Sequence, residues 1–421
     1  MRKYTGMMIV GTFVFYLVSV SVPFTPMLIV PTLLAWLVPL LNWRTLGKRA
    51  VQQTLLLLLI GFMAIFFSAS QGVFLGWKQI FAANLPLLAM FVAVAFLTLT
   101  NQGLEDPALP KGNSAVVTTA VGTHLLGAVI NLSAMFFLGD RLQKNGALSR
   151  DQMIILARSF CAAAWWSPFF IATGVALTHA PGMHWQKTLI PGVIMSAIAI
   201  VFSIVEVCYF RKTEFSGYPL RAESLTVPVF LATVVICVHH FWPDVNILLL
   251  ICIVSPAGAF VFMKGRPRLA TTHDFINNRI GSVNSQFALF LAAGVFSTGI
   301  KSFTHVYPAL FSLEGSALTP LLFSITLGAM IMIGIVGIHP IVSIAIVSPL
   351  LLPLNPDHSQ LGFLFLSSWA ISTGSSPLSG VGLALVSRYK ASPRGILQSN
   401  WHYAIVMCAL ASVVNVLFFT H

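Results

Sequence analysis

Two Gly-x-His triplets and two Ser-Pro pairs are the residues of this chain whose types and spacing could do chemistry. The first set reads Val121-Gly122-Thr123-His124 and then Trp166-Ser167-Pro168-Phe169. The second reads Val336-Gly337-Ile338-His339 and then Ser375-Ser376-Pro377-Leu378. Each Ser-Pro is followed by a matching stretch, Gly174-Val175-Ala176-Leu177 and Gly382-Leu383-Ala384-Leu385. All of them lie inside apolar segments. Proline lacks an N–H and clashes with the preceding turn, so a helix should break near Pro168 and near Pro377. Gly374, Gly380 and Gly382 add backbone freedom around the second break. Broken backbone at bilayer depth is tolerated only where it is buried in protein or lines a wet cavity. The new helix N-terminus offers N–H groups and a positive dipole end to an anion. Carbonyls and hydroxyls at the other side of the break can hold Na⁺. The expected chemistry is recognition of a small anion, without bond making.

Gly122, Thr123, His124, Gly337, His339, Ser167, Pro168, Ser375, Ser376, Pro377 and Asn131 form the expected substrate set. Thr373, Ser379 and Gly380 are the expected ion-coupling set. A histidine can meet an anion as donor or cation, and its ordinary titration range suits proton coupling. The alternative is a neutral histidine held by a nearby carbonyl, fixing the turn of a hairpin. The serines and threonines could equally be interhelical glue, and the amide of Asn131 could serve its own hairpin. Arg158 is expected to snorkel toward an interface, Glu206 to reach headgroups, and Asp140 and Asp151 to be solvated. Trp165-Trp166 could wall a cavity or pack against a neighbour. No carboxylate is expected at mid-bilayer depth. With no Walker A motif, Ser-His-Asp set or metal-ligand spacing, neither ATP drive nor an enzyme is expected, and no cofactor beyond Na⁺ as a coupling ion.

The elements that must position these residues follow from composition. The chain has 421 residues, 57% hydrophobic and 8% charged, with a mean hydropathy of +0.89. Soluble domains carry about 25% charged residues, so this chain cannot cover a water-facing surface and must sit in lipid. The net charge of +12 falls in short loops between apolar segments. It reads as positive-inside orientation, with no nucleic-acid partner. The five cysteines lack ligand spacing and read as reduced packing residues. The N-terminal apolar run reads as a retained first helix.

Apolar segments fall at 7–22, 25–42, 51–69, 79–99, 114–138, 152–177, 187–210, 226–241, 246–263, 285–303, 319–352, 360–386 and 399–419. Basic loops mark the cytoplasmic side: Arg44, Lys48 and Arg49; Arg211, Lys212 and Arg221; Lys264, Arg266, Arg268 and Arg279; Arg388, Lys390 and Arg394. Keeping Arg141, Lys144 and Arg150 inside as well requires 114–138 to enter from the cytoplasm and turn back. Segment 319–352 is too long for one span and must do the same from outside. The expected fold is an all-α polytopic membrane protein with two inverted repeats, about 11 transmembrane helices, two re-entrant hairpins with Gly-x-His tips and two broken helices. The first repeat is 1–212, with hairpin 114–138 and broken helix 152–177. The second is 213–421, with hairpin 319–352 and broken helix 360–386. The N-terminus would be cytoplasmic and the C-terminus external, in a bacterial-type inner membrane.

On these elements the chain resembles the ion transporter superfamily, which includes divalent anion:sodium symporters and arsenite-pump permeases. Dicarboxylate symporters carry Ser-Asn-Thr at the hairpin tips, where this sequence has Gly122-Thr123-His124 and Gly337-Ile338-His339. The resemblance implies an elevator-type carrier on a homodimeric scaffold. The function expected is proton- or sodium-coupled transport of a small anion. The alternatives are an integral-membrane enzyme acting on a lipid-linked substrate, or an anion channel.

Overall fold

The computed structural model describes residues 2–22, 25–101, 109–144, 146–211, 214–219, 222–242, 245–263, 265, 267–308 and 318–420. Of the loop cations read above, Lys212, Arg221, Lys264 and Arg266 lie outside the described residues. The described secondary structure is helical. Seven helices are long and apolar enough to cross a membrane, and five shorter apolar ones accompany them. In chain order these begin α1 (Arg2–Ser21), α2 (Ile29–Leu41), α3 (Lys48–Ser70), α4 (Trp77–Ala82) and α5 (Leu85–Ala95). There follow α6 (Asn113–Ile130), α7 (Leu132–Leu142), α8 (Arg150–Ala162), α9 (Ile171–His179) and α10 (Trp185–Val205). Next are α11 (Ala222–Phe241), α12 (Ile247–Phe262), α13 (Arg268–Asp274) and α14 (Asn284–Val306). The last five are α15 (Pro320–Ile335), α16 (Pro340–Leu351), α17 (His358–Ser375), α18 (Gly380–Tyr389) and α19 (Pro393–Phe419). The protein is an all-α polytopic membrane protein. On α3 the side chains of Leu55, Leu59, Met63 and Phe66 make an exposed apolar row on one face, a surface suited to lipid and not to water.

The helices gather into two compact units, each drawing on both halves of the chain. One comprises 1–103, 234–316 and 344–355; the other comprises 104–233, 317–343 and 356–421. Within the first, α3 and α14 cross closely through small residues. A Cβ on Gly61 would lie 2.8 Å from the Cα of Phe296, so only glycine allows this backbone approach. Asn84 donates to the carbonyl of Phe290 (2.7 Å) and Thr298 to that of Gln79 (2.9 Å).

The second unit holds both broken helices and shows why they start where they do. Ser149 caps α8 in a capping box with Gln152, and Asp357 caps α17 by accepting from Ser359 and Gln360, which satisfies otherwise orphaned N–H groups. Each cap is followed three residues on by a glutamine that reaches across. Gln152 donates to the carbonyl of Ser216 (2.8 Å), and Gln360 to the carbonyl of Leu318 and to Asn415 (3.1 Å each). The first broken helix ends in a 3-10 turn at Ala163–Trp165 and resumes at Ile171, and the second stops at Ser375 and resumes at Gly380. Both proline breaks thus fall where the sequence places them.

The first hairpin departs from the expected position of its turn. Gly122, Thr123 and His124 lie in mid-α6, and the chain turns at Asn131, which has φ 50°. One glycine in an apolar helical run costs about 1 kcal/mol relative to alanine, too little to end the helix. Asparagine is among the few side chains that tolerate positive φ. The second hairpin turns at Gly337, with φ 105°, in a conformation that favours glycine.

Candidate functional site

The paired breaks and the hairpin turns facing them all lie in the second unit. At the first break, Ser167 is buried. Its hydroxyl donates to the carbonyl of Ala128 near the end of α6 and accepts from the backbone N–H of Phe169 (3.2 Å). At the second, Ser376 donates to the carbonyl of Ile335 at the end of α15 (3.0 Å) and accepts from the N–H of Leu378 (3.1 Å). The prolines that follow, Pro168 and Pro377, are buried. Each lacks the N–H that would continue the helix, and each serine satisfies an N–H just beyond the break. The hairpin turns add a second contact apiece. Asn131 donates its amide to the carbonyl of Phe169 (3.0 Å). A Cβ on Gly337 would lie 2.6 Å from the Cβ of Leu378. The serine bonds therefore fasten hairpin to break alike in the two halves of the chain, while the turns add a hydrogen bond in one and close packing in the other.

The half-helices α9 and α18 begin at these breaks, so their positive dipole ends and early N–H groups lie beside the hairpin turns. Ser379 caps α18, accepting from the N–H of Gly382 (3.0 Å) and donating to the carbonyls of Thr373 (2.8 Å) and Ser376 (2.9 Å). Space lies beside Gly380, where a Cβ would meet nothing within 4 Å. Three buried acceptors in the candidate set have no hydrogen-bond partner among the described residues: Asn131 Oδ1, Thr373 Oγ1 and Ser375 Oγ. Buried polar atoms are ordinarily paired, so these oxygens suit a solute, an ion or water.

The two histidines differ. His124 Nδ1 lies 3.1 Å from the carbonyl of Ser159, and its Nε2 accepts from the indole N–H of Trp166 at 3.0 Å. That pattern places the proton on Nδ1 and commits both nitrogens of a neutral ring. Thr123 is likewise spent inside its helix, donating to the carbonyl of Thr119 (2.6 Å), and Gly122 is buried beside it. His339 stands at the turn. Its Nδ1 accepts from the N–H of Ile341 (3.3 Å), capping α16, and its ring meets Trp369 edge-on at 5.2 Å. Trp165 is fully buried and donates to Ser367 (3.0 Å), so of the tandem pair one tryptophan packs and the other braces His124.

The charged residues near the breaks depart from the sequence expectation. Arg158 is fully buried instead of snorkelling. It pairs with Glu206 (2.7 Å) and donates to Asn400 (2.7 Å) and to the carbonyl of Ser399 (2.6 Å). Glu206 also meets Arg211 (3.3 Å) and His402 (3.0 Å), and Arg211 meets Asp151 (3.0 Å). Asp151 is consequently a buried ion-pair partner, not a solvated carboxylate, and the half-buried Glu206 faces cations of its own chain. The one sequence sign was an Arg in α8 and a Glu at the end of α10 within apolar stretches, which bury charge only in pairs. Asp140 keeps the solvent exposure expected of it and is paired as well. It takes both guanidinium bonds of Arg388 (2.8 and 2.6 Å) and one from the Tyr389 hydroxyl (2.8 Å). Partial burial pushes its carboxyl up, but the bonds from Arg388 and Tyr389 outweigh this and hold it below the usual carboxylate range.

Fold and site together define a class: a polytopic helical membrane protein in which two hairpin turns face two broken helices within one compact unit. Ten chains of solved structures match this one. Among them is the crystal structure of the Alcanivorax borkumensis YdaH transporter, described as having an unusual topology. It has a TM-score of 0.52 at 10% identity and covers 86% of this chain and 98% of that one. The two share a fold. No family model and no curated protein matches the sequence.

Proposed function

We propose that this chain is a secondary active transporter of a small anion, driven by a proton or sodium gradient across a bacterial-type inner membrane. The observation that carries the reading is the twofold fastening of hairpin to break by Ser167 and Ser376. It sets two helix N-termini and three unpartnered buried oxygens near the same turns. Helix ends paired across inverted repeats at the midplane are a recurring design of secondary carriers. The solute would be met by the N–H groups of the breaks, by Ser375, Ser376 and Ser167, by Asn131 Oδ1 and by His339 at the second turn. Thr373, Ser379 and Gly380 would serve a coupling ion. His124 would act as a positioning residue through Trp166. The shared fold with a transporter and the resemblance to the ion transporter superfamily support the same reading. An elevator-type cycle and a homodimer accompany it, as do two inverted repeats with a cytoplasmic N-terminus and an external C-terminus.

The test is uptake of labelled phosphate, sulfate, succinate and citrate into proteoliposomes under imposed pH or sodium gradients. Uptake that rises with either gradient supports the carrier. Uptake of any of these that ignores both gradients would count against coupling and favour a channel.

A further inference from the structure

The two serine–proline joints carry no basic side chain. No Lys or Arg occurs between Lys111 and Arg141, between Arg158 and Lys187, or between Lys301 and Arg388. Those stretches hold both hairpin turns and both breaks. Arg158 itself is paired with Glu206. Both histidine rings accept a hydrogen bond at one nitrogen, His124 from Trp166 and His339 from the N–H of Ile341, which is the pattern of a neutral ring. The positive charge left for an anion is that of two helix N-termini, about half an elementary charge each. Together they balance about one negative charge, and a second would be buried unpaired at high cost.

The joints also differ in how open they are. At the first, Ser167, Phe169 and Phe170 are buried. At the second, the turn exposes Val336 (68%) and Ile338 (37%), and Leu378 beside it is half-buried. Leu383, 38% exposed, lies one turn along α18 from Gly380 and on the same face. A Cβ on Gly380 would meet nothing within 4 Å. Irregular backbone within a bilayer is buried in protein or lines a cavity and is not left to lipid. Aliphatic side chains exposed at a turn and a break therefore face a cavity. Ser375 Oγ and Thr373 Oγ1 adjoin the same break, both buried and without a partner among the described residues.

We propose that the solute is a monoanion with a short aliphatic body, its charged group at the N-terminus of α18 and its body against Val336, Ile338 and Leu383. The inference rests on the carrier reading for what the site is for, while binding tests it without transport. The hydroxyls of Ser375 and Thr373 can donate to the charged group. Sulfate or a dicarboxylate would bring a second charge with no cation to meet it, and sulfate would gain nothing from the aliphatic wall.

The experiment is equilibrium dialysis of radiolabelled alkanesulfonates against the full chain in lipid nanodiscs, with empty nanodiscs subtracted. Sulfonates stay ionised throughout the working pH range, so the anion itself is measured. Butanesulfonate carries one charge and an aliphatic body, methanesulfonate the charge without the body, and butanedisulfonate the body with two charges. Butanesulfonate should bind at least about eightfold tighter than methanesulfonate, the effect of three half-buried methylenes. It should bind at least about tenfold tighter than the disulfonate, whose second charge is left unpaired. Val336→Arg should narrow that second ratio several-fold, because a cation at the turn meets the second charge, a gain that a damaged fold does not produce. If Val336→Arg does not fold, Ile338→Lys gives the same comparison. Methanesulfonate or the disulfonate binding as tightly as butanesulfonate, or no saturable binding of butanesulfonate, overturns the solute class. Gradient-driven uptake of sulfate or succinate would then leave the carrier reading in place. An unchanged ratio in the folded variant overturns the seat at the second turn. Saturable binding of butanesulfonate without gradient-driven uptake would keep the solute class and remove the carrier reading.

Discussion

Ser167 and Ser376 make the same pair of hydrogen bonds in the two halves of the chain. Each donates to a carbonyl near the end of a hairpin's first helix and accepts from the N–H two residues on. A proline after each serine breaks the helix, and the hydroxyl converts the break into a joint. The arrangement is local enough to be written in sequence, and it recurs with the hairpins it joins.

Ser167→Ala should leave a buried carbonyl and a buried N–H without their serine partner, and Ser376→Ala a partly buried pair. An unsatisfied buried group costs about 1–3 kcal/mol. Thermal unfolding in detergent should show a lower midpoint for both variants, with Ser→Thr closer to the parent than Ser→Ala.

His124→Phe should be more damaging than His124→Gln, because phenylalanine strips partners from both the Ser159 carbonyl and the Trp166 indole. Each orphaned group again costs about 1–3 kcal/mol. If His124 is a brace, the pH profile of uptake should be unchanged in His124→Gln. A shifted profile would instead make its ring a proton carrier.

The Asp140–Arg388 pair should stabilise the protein at neutral pH and stop doing so in acid. Asp140 is held below the usual carboxylate range in the folded chain. Its contribution is therefore present above its unfolded pKa, about 3.9, and lost as pH falls through the lower folded value. The pair is exposed, so its worth is about 1 kcal/mol or less and falls with salt. Unfolding midpoints of the parent and Asp140→Asn should differ at pH 7 and converge in acid.

Much of this fold was legible because lipid simplifies the reading. The expected segment 187–210 is a helical span over Trp185–Arg211, and 285–303 is Asn284–Val306. Pro168 and Pro377 marked the breaks for a local steric reason. The first turn was misread because Gly122-x-His124 matches Gly337-x-His339 by eye, while an asparagine makes that turn. The cap-x-x-Gln echo of Ser149–Gln152 and Asp357–Gln360 was available in the sequence and would have aligned the repeats better. The sequence hinted at buried charge in α8 and α10 but not at which residues pair. Arg158 lies 48 residues from Glu206 and 242 from Asn400, and only packing brings them together.

Gly337→Ala should be costly where Gly281→Ala is not. At Gly337 both the φ of 105° and the 2.6 Å approach to Leu378 oppose a Cβ, whereas a Cβ on Gly281 would meet nothing within 4 Å. Alanine forced into positive φ costs more than about 1 kcal/mol, and lost thermal stability with reduced uptake is the expected outcome.

The central claim is that solute binds where the two serine–proline joints meet the hairpin turns. Its most direct measurement is concentration-dependent uptake, into proteoliposomes, of whichever anion the gradient screen identifies, comparing the parent with Ser167→Ala, Ser376→Ala and Asn131→Ala, each confirmed to be folded. The account expects half-saturation to rise at least several-fold in all three. Folded variants that all keep the parent half-saturation would place the solute elsewhere and contradict it.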